Sequence, residues 1–261
     1  MPTYNDYGIV LNSHDLGESD KILNIYTKEN ALVRAVVKGS RKTSSKFSGK
    51  VDQLSCCYFQ FAIGKNLDTV CECEQVNSFP SLRSNLTRLT CAVLFLEIVS
   101  NFAYEDEIDS FHVYDLLYVS LDRLQTSPNP DLDSVSFISK FLSLHGYKPQ
   151  FETCVSCSVG VGLAPTQKAD LMSAQLNNYP YSSILGGILC KECAKLIEHK
   201  LVKPSVINII KQEIETSQPL NPSTSNHLNI EDIRLALDLL REHIDIRAKN
   251  KIKSFDLIFS L

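Results

Sequence analysis

Two stretches of this chain carry side chains whose types and spacing could do chemistry. The first runs from Arg34 to Lys50, RAVVKGSRKTSSKFSGK, with six basic residues (Arg34, Lys38, Arg41, Lys42, Lys46, Lys50) and no acidic one. Cations on a run of small residues suit a polyanion. The side chains neutralise phosphates, while Gly39, Ser40, Thr43, Ser44, Ser45, Ser48 and Gly49 let main-chain N–H groups come close. Phe47, in the middle, could stack on a base. On a long flexible loop, Arg34, Lys38, Arg41, Lys42, Lys46, Phe47 and Lys50 are therefore the candidate nucleic-acid-binding residues, set against the plainer reading of a solvated surface loop.

The second stretch is Cys154-Val-Ser-Cys157 followed, after 32 residues, by Cys190-Lys-Glu-Cys193. Two Cys-x-x-Cys knuckles offer four thiolates in the tetrahedral set that zinc accepts. The gap is longer than that of ordinary zinc ribbons. The intervening residues, with Gly160, Gly162, Gly186 and Gly187, have little pattern of their own and would order around a metal. Binding on the order of 10–16 kcal/mol in small zinc modules would suffice. With four thiolates engaged no position stays open for a water, so Cys154, Cys157, Cys190 and Cys193 are read as ligands of one structural Zn(2+) per chain. Free thiols and a redox Cys-x-x-Cys are the alternatives. Cys71-x-Cys73 falls on an expected strand, and Cys56 and Cys57 read as core or surface thiols.

Other chemistries find no footing. Gly49-Lys50 and Gly64-Lys65 lack the rest of a phosphate-binding loop. The six histidines (His14, His112, His145, His199, His227, His243) are scattered, and no Ser/His/Asp signature appears. The expectation is a protein that is not an enzyme and takes no small-molecule substrate.

These residues need elements to hold them. Tyr7 to Ser13, Lys21 to Thr27, Ala31 to Lys38, Leu54 to Ala62 and Asp68 to Val76 read as short strands with turn signals between them. Five strands without an intervening helix suggest a barrel of the oligonucleotide/oligosaccharide-binding (OB) kind over residues 1–79, the basic loop joining strands three and four. Tyr26, Tyr58, Phe59 and Phe61 are aromatic candidates, of which alternation lets only some face outward. From Ser81 the period changes: Leu82, Leu86, Leu89, Val93, Leu96 and Val99 mark an amphipathic helix. Further helices are expected at Ser110 to Gln125 and Leu132 to His145, completing a helical domain over residues 80–149. A four-cysteine zinc module follows at 150–195. C-terminal helices over 196–261 pack on the helical domain: Ala194 to Leu201, one opened by Pro204, and one capped by Asn229 after a linker from Gln218 to Asn226. The fold class is thus α+β and multidomain.

At 261 residues and net charge -4 the chain is acidic overall, so any nucleic-acid site is a patch. Nine cysteines, four of them in two knuckles, favour metal in a reducing compartment. The segment Ala92 to Ala103 is too short for a bilayer span and carries Glu97. A cytoplasmic protein without membrane contact is expected. Arg241, Arg247, Lys249, Lys251 and Lys253 form either a second basic surface or a solvated helix end.

The order of barrel, helices, cysteine module and helix, together with Tyr7-Gly-Ile-Val-Leu, Leu16-Gly-Glu-Ser-Asp-Lys-Ile-Leu, Lys38-Gly-Ser-Arg-Lys, Ser45-Lys-Phe, Ser78-Phe-Pro-Ser-Leu-Arg and Gly186-Gly with Cys190-x-x-Cys193, resembles the bacterial recombination mediator family RecO. The resemblance implies a role in DNA repair and recombination, with binding of single- and double-stranded DNA and annealing of complementary strands. It further implies action with RecR to load the recombinase RecA onto strands covered by single-strand-binding protein, whose acidic C-terminal tail would dock on the helical region. It also implies a cytoplasmic, nucleoid-associated location. Neutralising four to six phosphates would give a salt slope of roughly -3 to -4 on single strands. A zinc-containing protein-interaction scaffold whose barrel does not touch DNA is the alternative.

Overall fold

A computed structural model describes residues 2–42, 44–105, 110–161, 178–216 and 229–260. The expected linker at 218–226, together with Thr43, Gly162 and His227, lies outside the described residues. The chain divides into two compact units, residues 1–130 with 248–261, and residues 131–247.

The first unit is built on a closed barrel in the order β1-β2-β3-β5-β4. Its strands are β1 (Thr3–Leu16), β2 (Asp20–Thr27), β3 (Ala31–Val37), β4 (Cys56–Ala62) and β5 (Asp68–Asn77). All neighbours are antiparallel except β3 and β5, which run parallel. This is the strand order of an OB barrel. Period-2 alternation sends Val10, Leu23, Ile25, Val33, Ala35, Val37, Cys57, Phe59 and Phe61 inward.

One seam of the barrel is short. β3 and β5 pair only at Ala35 with Asp68 and at Val36 with Thr69. The connector from β3 to β4 makes up the difference: Phe47 and Val51 are buried in the barrel interior, and Lys46 Nζ donates to the Cys71 carbonyl of β5 at 2.8 Å. The end of the connector is pinned to β1, where Leu54 N–H donates to Val10 O (3.1 Å) and Val10 N–H to Ser55 O (2.9 Å).

After the barrel come α1 (Pro80–Arg83), α2 (Leu86–Phe102) and α3 (Ser110–Leu124). The single helix expected from Ser81 is thus two. The chain breaks at Ser84-Asn85, and the Asn85 side chain caps α2 by accepting from Arg88 N–H. α2 is buried on most of its circumference rather than along one stripe, because it is covered on several sides: by barrel strands β1 and β2, by α3, and by the short α8 (Ser254–Ile258). Ile252, Phe255 and Ile258 bury the returning segment, and the Glu97 carboxylate of α2 caps it, accepting from Lys253 N–H (2.9 Å), Ser254 N–H (2.8 Å) and the Ser254 hydroxyl.

In the second unit, α4 (Pro130–Leu144) precedes a three-stranded sheet in the order β7-β6-β8, formed by β6 (Tyr179–Ser182), β7 (Gly187–Ile188) and β8 (Lys200–Val202). α5 (Lys191–Ala194) lies between β7 and β8, and α6 (Pro204–Glu215) packs against α7 (Ile230–Asp245). The helix expected at Ala194 to Leu201 is replaced by the end of α5 and by β8, which pairs with β6. Pro204 opens α6 and Asn229 caps α7, as the sequence predicts. Behind the sheet, His243 Nδ1 accepts from the Tyr181 hydroxyl at 2.7 Å and Nε2–H donates to Tyr147 O at 2.8 Å.

Candidate nucleic-acid interface and metal centre

Over its described residues the connector carrying the cations is hydrogen-bonded to itself and to β1 and β5. Successive turns run through it, with Lys42 N–H donating to Gly39 O, Ser45 N–H to Lys42 O, Ser48 N–H to Ser45 O and Lys50 N–H to Phe47 O. Gly39, at φ +67°, makes the bend out of β3. The Asp20 carboxylate holds that bend, accepting from Gly39 N–H (2.8 Å) and the Ser19 hydroxyl (2.7 Å). Those two hydrogen bonds, helped by the charges of Lys38 and Lys42, keep Asp20 below its ordinary carboxylate range.

The cations divide into two groups. Lys38 and Lys42 are exposed and make no ion pair among the described residues, and Arg34 is exposed on the outer face of β3. Lys50 is half-buried. Arg41 is engaged by the β1–β2 hairpin, 3.4 Å from Asp15 and 3.0 Å from Gly17 O. Lys46 is engaged by Cys71 O and lies 5.1 Å over the Phe47 ring. Phe47 itself leaves the expected interface: at 5% exposure its ring fills the barrel and offers no stacking face. The physical reason is the short β3–β5 seam, which opens a hole that an aromatic side chain closes.

Of the other aromatics, Tyr26, Phe59 and Phe61 are core. Tyr58 points outward, 38% exposed, and packs on Tyr7, 45% exposed, with ring centroids 4.8 Å apart. Sequence reading passed over Tyr7, although once Phe59 and Phe61 are inward, Tyr58 and its cross-strand partner Tyr7 must be outward. The expected second basic surface is largely engaged internally. Arg241 faces Asp245, Arg247 donates to the Ser183 and His243 carbonyls, Lys249 donates to Ala103 O and covers Tyr104, and Lys251 pairs with Asp256.

In the second unit the sulfurs of Cys154, Cys157, Cys190 and Cys193 all lie within 4.8 Å of one another, with no disulfide between them. Each pair sits on a tight knuckle. Cys154 N–H donates to Val159 O and Ser158 N–H to Cys154 O, with Ser158 at φ +61°. Cys190 caps α5, its sulfur accepting from Cys193 N–H. Val155 N–H donates to Ile188 O, which fastens the first knuckle beside the strand leading to the second. The thiols are unequal. Burial alone would raise Cys154, but N–H groups of Cys190, Cys157 and Ser156 hold it down at about 6. Cys193 goes the other way, to about 12: the Ser156 hydrogen bond favours its thiolate, but the neighbouring thiols Cys190 and Cys157 outweigh it. Four sulfurs this close cannot all carry charge alone, and a soft divalent cation is what such a donor set fits.

Comparison with known proteins agrees with both halves. The family described as "Recombination protein O N terminal" matches residues 1–79, and "Recombination protein O C terminal" matches residues 83–255. The DNA repair protein RecO of Rubrobacter xylanophilus is 32% identical over 194 residues, covering 74% of this chain and 72% of its own. That of Gloeobacter violaceus is 29% identical over 261 residues, covering 98% and 92%. That of Desulforamulus reducens is 26% identical over 270 residues, covering 99% and 94%. No helix among the described residues is long and apolar enough to cross a membrane.

Proposed function

The chain belongs to the recombination protein O family, and on that premise we propose that it is a non-enzymatic DNA repair and recombination mediator: its barrel binds single and double strands and anneals complementary ones. The observation that carries this reading is the set of exposed cations, Arg34, Lys38 and Lys42, on and beside the connector of an OB barrel. Annealing makes and breaks no covalent bond. Two polyanions repel, and cations held on a fixed surface lower that barrier while leaving base edges free to pair. The remaining proposed steps, loading of RecA with RecR and docking of the single-strand-binding protein tail on the helical region, rest on family membership alone.

Zinc is the proposed metal at Cys154, Cys157, Cys190 and Cys193, where it would join the two knuckles. The cysteines supply the whole coordination set, so the centre is structural.

The test is salt-dependent oligonucleotide binding and annealing by the full chain. Replacing Lys38 and Lys42 together by Ala is expected to slow annealing and flatten the slope of log K against log salt by about 1.4, at roughly 0.7 per phosphate. Unchanged slope and annealing in a folded variant refute the site. A second reading, an interaction scaffold with a passive barrel, draws on one observation: helices cover part of the β1–β3 outer face, where Asn12 donates to Ser100 of α2 and Leu32 N–H to Tyr104 O. It predicts that the same double variant keeps every binding property.

A further inference from the structure

The barrel wall holds a second pair of cysteines, apart from the metal centre. In the antiparallel β4–β5 ladder Phe59 lies opposite Cys73 and Cys57 opposite Gln75. Cys57 and Cys73 are therefore diagonal neighbours on one face of the sheet. Cys57 is fully buried, and Cys73 is half-buried against the same apolar cluster. The Cys57 thiol donates its one proton to the Lys50 carbonyl of the connector at 3.3 Å. The other two thiols of the wall face elsewhere, Cys56 to the Tyr114 hydroxyl (3.4 Å) and Cys71 to Thr69 O (3.8 Å).

We propose that Cys57 and Cys73 are a redox-active dithiol that hydroperoxides convert to a disulfide, and that the connector registers the change at Lys50. The roles follow from the surroundings. The adjacent Cys57 thiol holds Cys73 below its ordinary value against the cost of its burial, and the Lys50 charge adds to this. The adjacent Cys73 sulfur, with burial, pushes Cys57 up, so Cys57 keeps the proton it donates to Lys50 O. Cys73 is the more exposed sulfur and the better nucleophile. Its thiolate attacks the peroxide oxygen, the O–O bond breaks, and the leaving hydroxide takes a proton to become water, leaving Cys73 as a sulfenic acid. The Cys57 sulfur then attacks Cys73, the S–O bond breaks, and water leaves with the Cys57 proton. Two thiols give two electrons and the peroxide becomes two waters. The disulfide has no S–H, so the bond to Lys50 O is lost.

The experiment uses the full chain, zinc-loaded so that the four knuckle thiols are protected, treated with hydrogen peroxide and then alkylated. Trypsin places Cys57 in peptide 51–65 and Cys73 in peptide 66–83, and fragmentation of the cross-linked pair identifies the sulfurs. The expected result is a Cys57–Cys73 link that a dithiol reductant reverses and that Cys73→Ser abolishes, with several-fold faster amide exchange over residues 47–54 in the oxidised protein only. No link at full zinc retention, or a link through Cys56 or Cys71 instead, overturns the pairing. A link with unchanged exchange in the connector overturns the coupling to Lys50. Neither readout depends on DNA binding.

Discussion

Phe47 shows how far a residue's type can mislead about its job. An aromatic ring among lysines reads as a base-stacking group, yet here it plugs the barrel beside Val51. Phe47→Ala is expected to cost about 3–5 kcal/mol in chemical denaturation, as for other buried Phe truncations. Any loss of DNA binding would then follow the loss of fold. A variant as stable as wild type would put the ring back on the surface. His243 makes an opposite case, a titratable group spent on structure. Burial, and then the Arg247 charge, pull it from its ordinary 6.5 to about 4, although its bond to Tyr147 O opposes this. A base depressed in the folded state contributes nothing to the pH slope above 6.5. Below that the unfolded chain takes up the proton first, so stability falls as pH drops from 6.5 to 4, by about 3 kcal/mol. Denaturation midpoints at several pH values should show this slope, and His243→Gln should lack it. Nothing in the sequence separates these residues from their surface counterparts, because the partners that bury them are distant in the chain.

At the scale of elements, local pattern carried much. Alternation placed all five strands near their observed positions, Pro204 and Asn229 marked helix starts, and cysteine spacing brought four sulfurs together. What local pattern could not carry is pairing across the chain. The two-residue β3–β5 seam, and the use of Lys200–Val202 as an edge strand, are set by tertiary neighbours. One clue was present: Glu97, a lone acid in the most apolar segment, must meet partners, and these prove to be the N–H groups at the start of α8. Glu97→Ala should destabilise the first unit by roughly 1–3 kcal/mol, since it leaves the part-buried N–H and hydroxyl of Ser254 unpaired. Thermal unfolding of Glu97→Gln, which keeps an acceptor, should fall between that variant and wild type. The cysteine module should depend on the proposed metal in a similar way. Stripping with a strong chelator is expected to make residues 150–161 and 178–202 protease-sensitive and to release about one zinc per chain in a colorimetric assay. Barrel-dependent oligonucleotide binding should survive. A module equally resistant with and without metal would disprove the structural role.

For the whole molecule, the net charge of -4 and the internal engagement of Arg41 and Lys46 set the strength of the proposed interface. Four cations are left to meet phosphate, Arg34, Lys38, Lys42 and half-buried Lys50, so the slope for single strands should be nearer -2 to -3 than the roughly -3 to -4 expected for four to six phosphates. The family and the overall order of barrel, helices and cysteine module were legible from the sequence. The split into two units was not, because the first unit is completed by residues 248–261, which follow the whole of the second.

That return has a consequence for how the protein is made. A ribosome delivers the barrel and α2 early, but Ile252, Phe255 and Ile258 emerge only after 117 further residues (131–247) have been synthesised. Until then the flank of α2 that these side chains cover lies bare to water, with Glu97 waiting for its partners. The unit that begins ahead of the other is therefore completed after it, and a nascent chain stalled in between carries an open greasy flank for chaperones to guard.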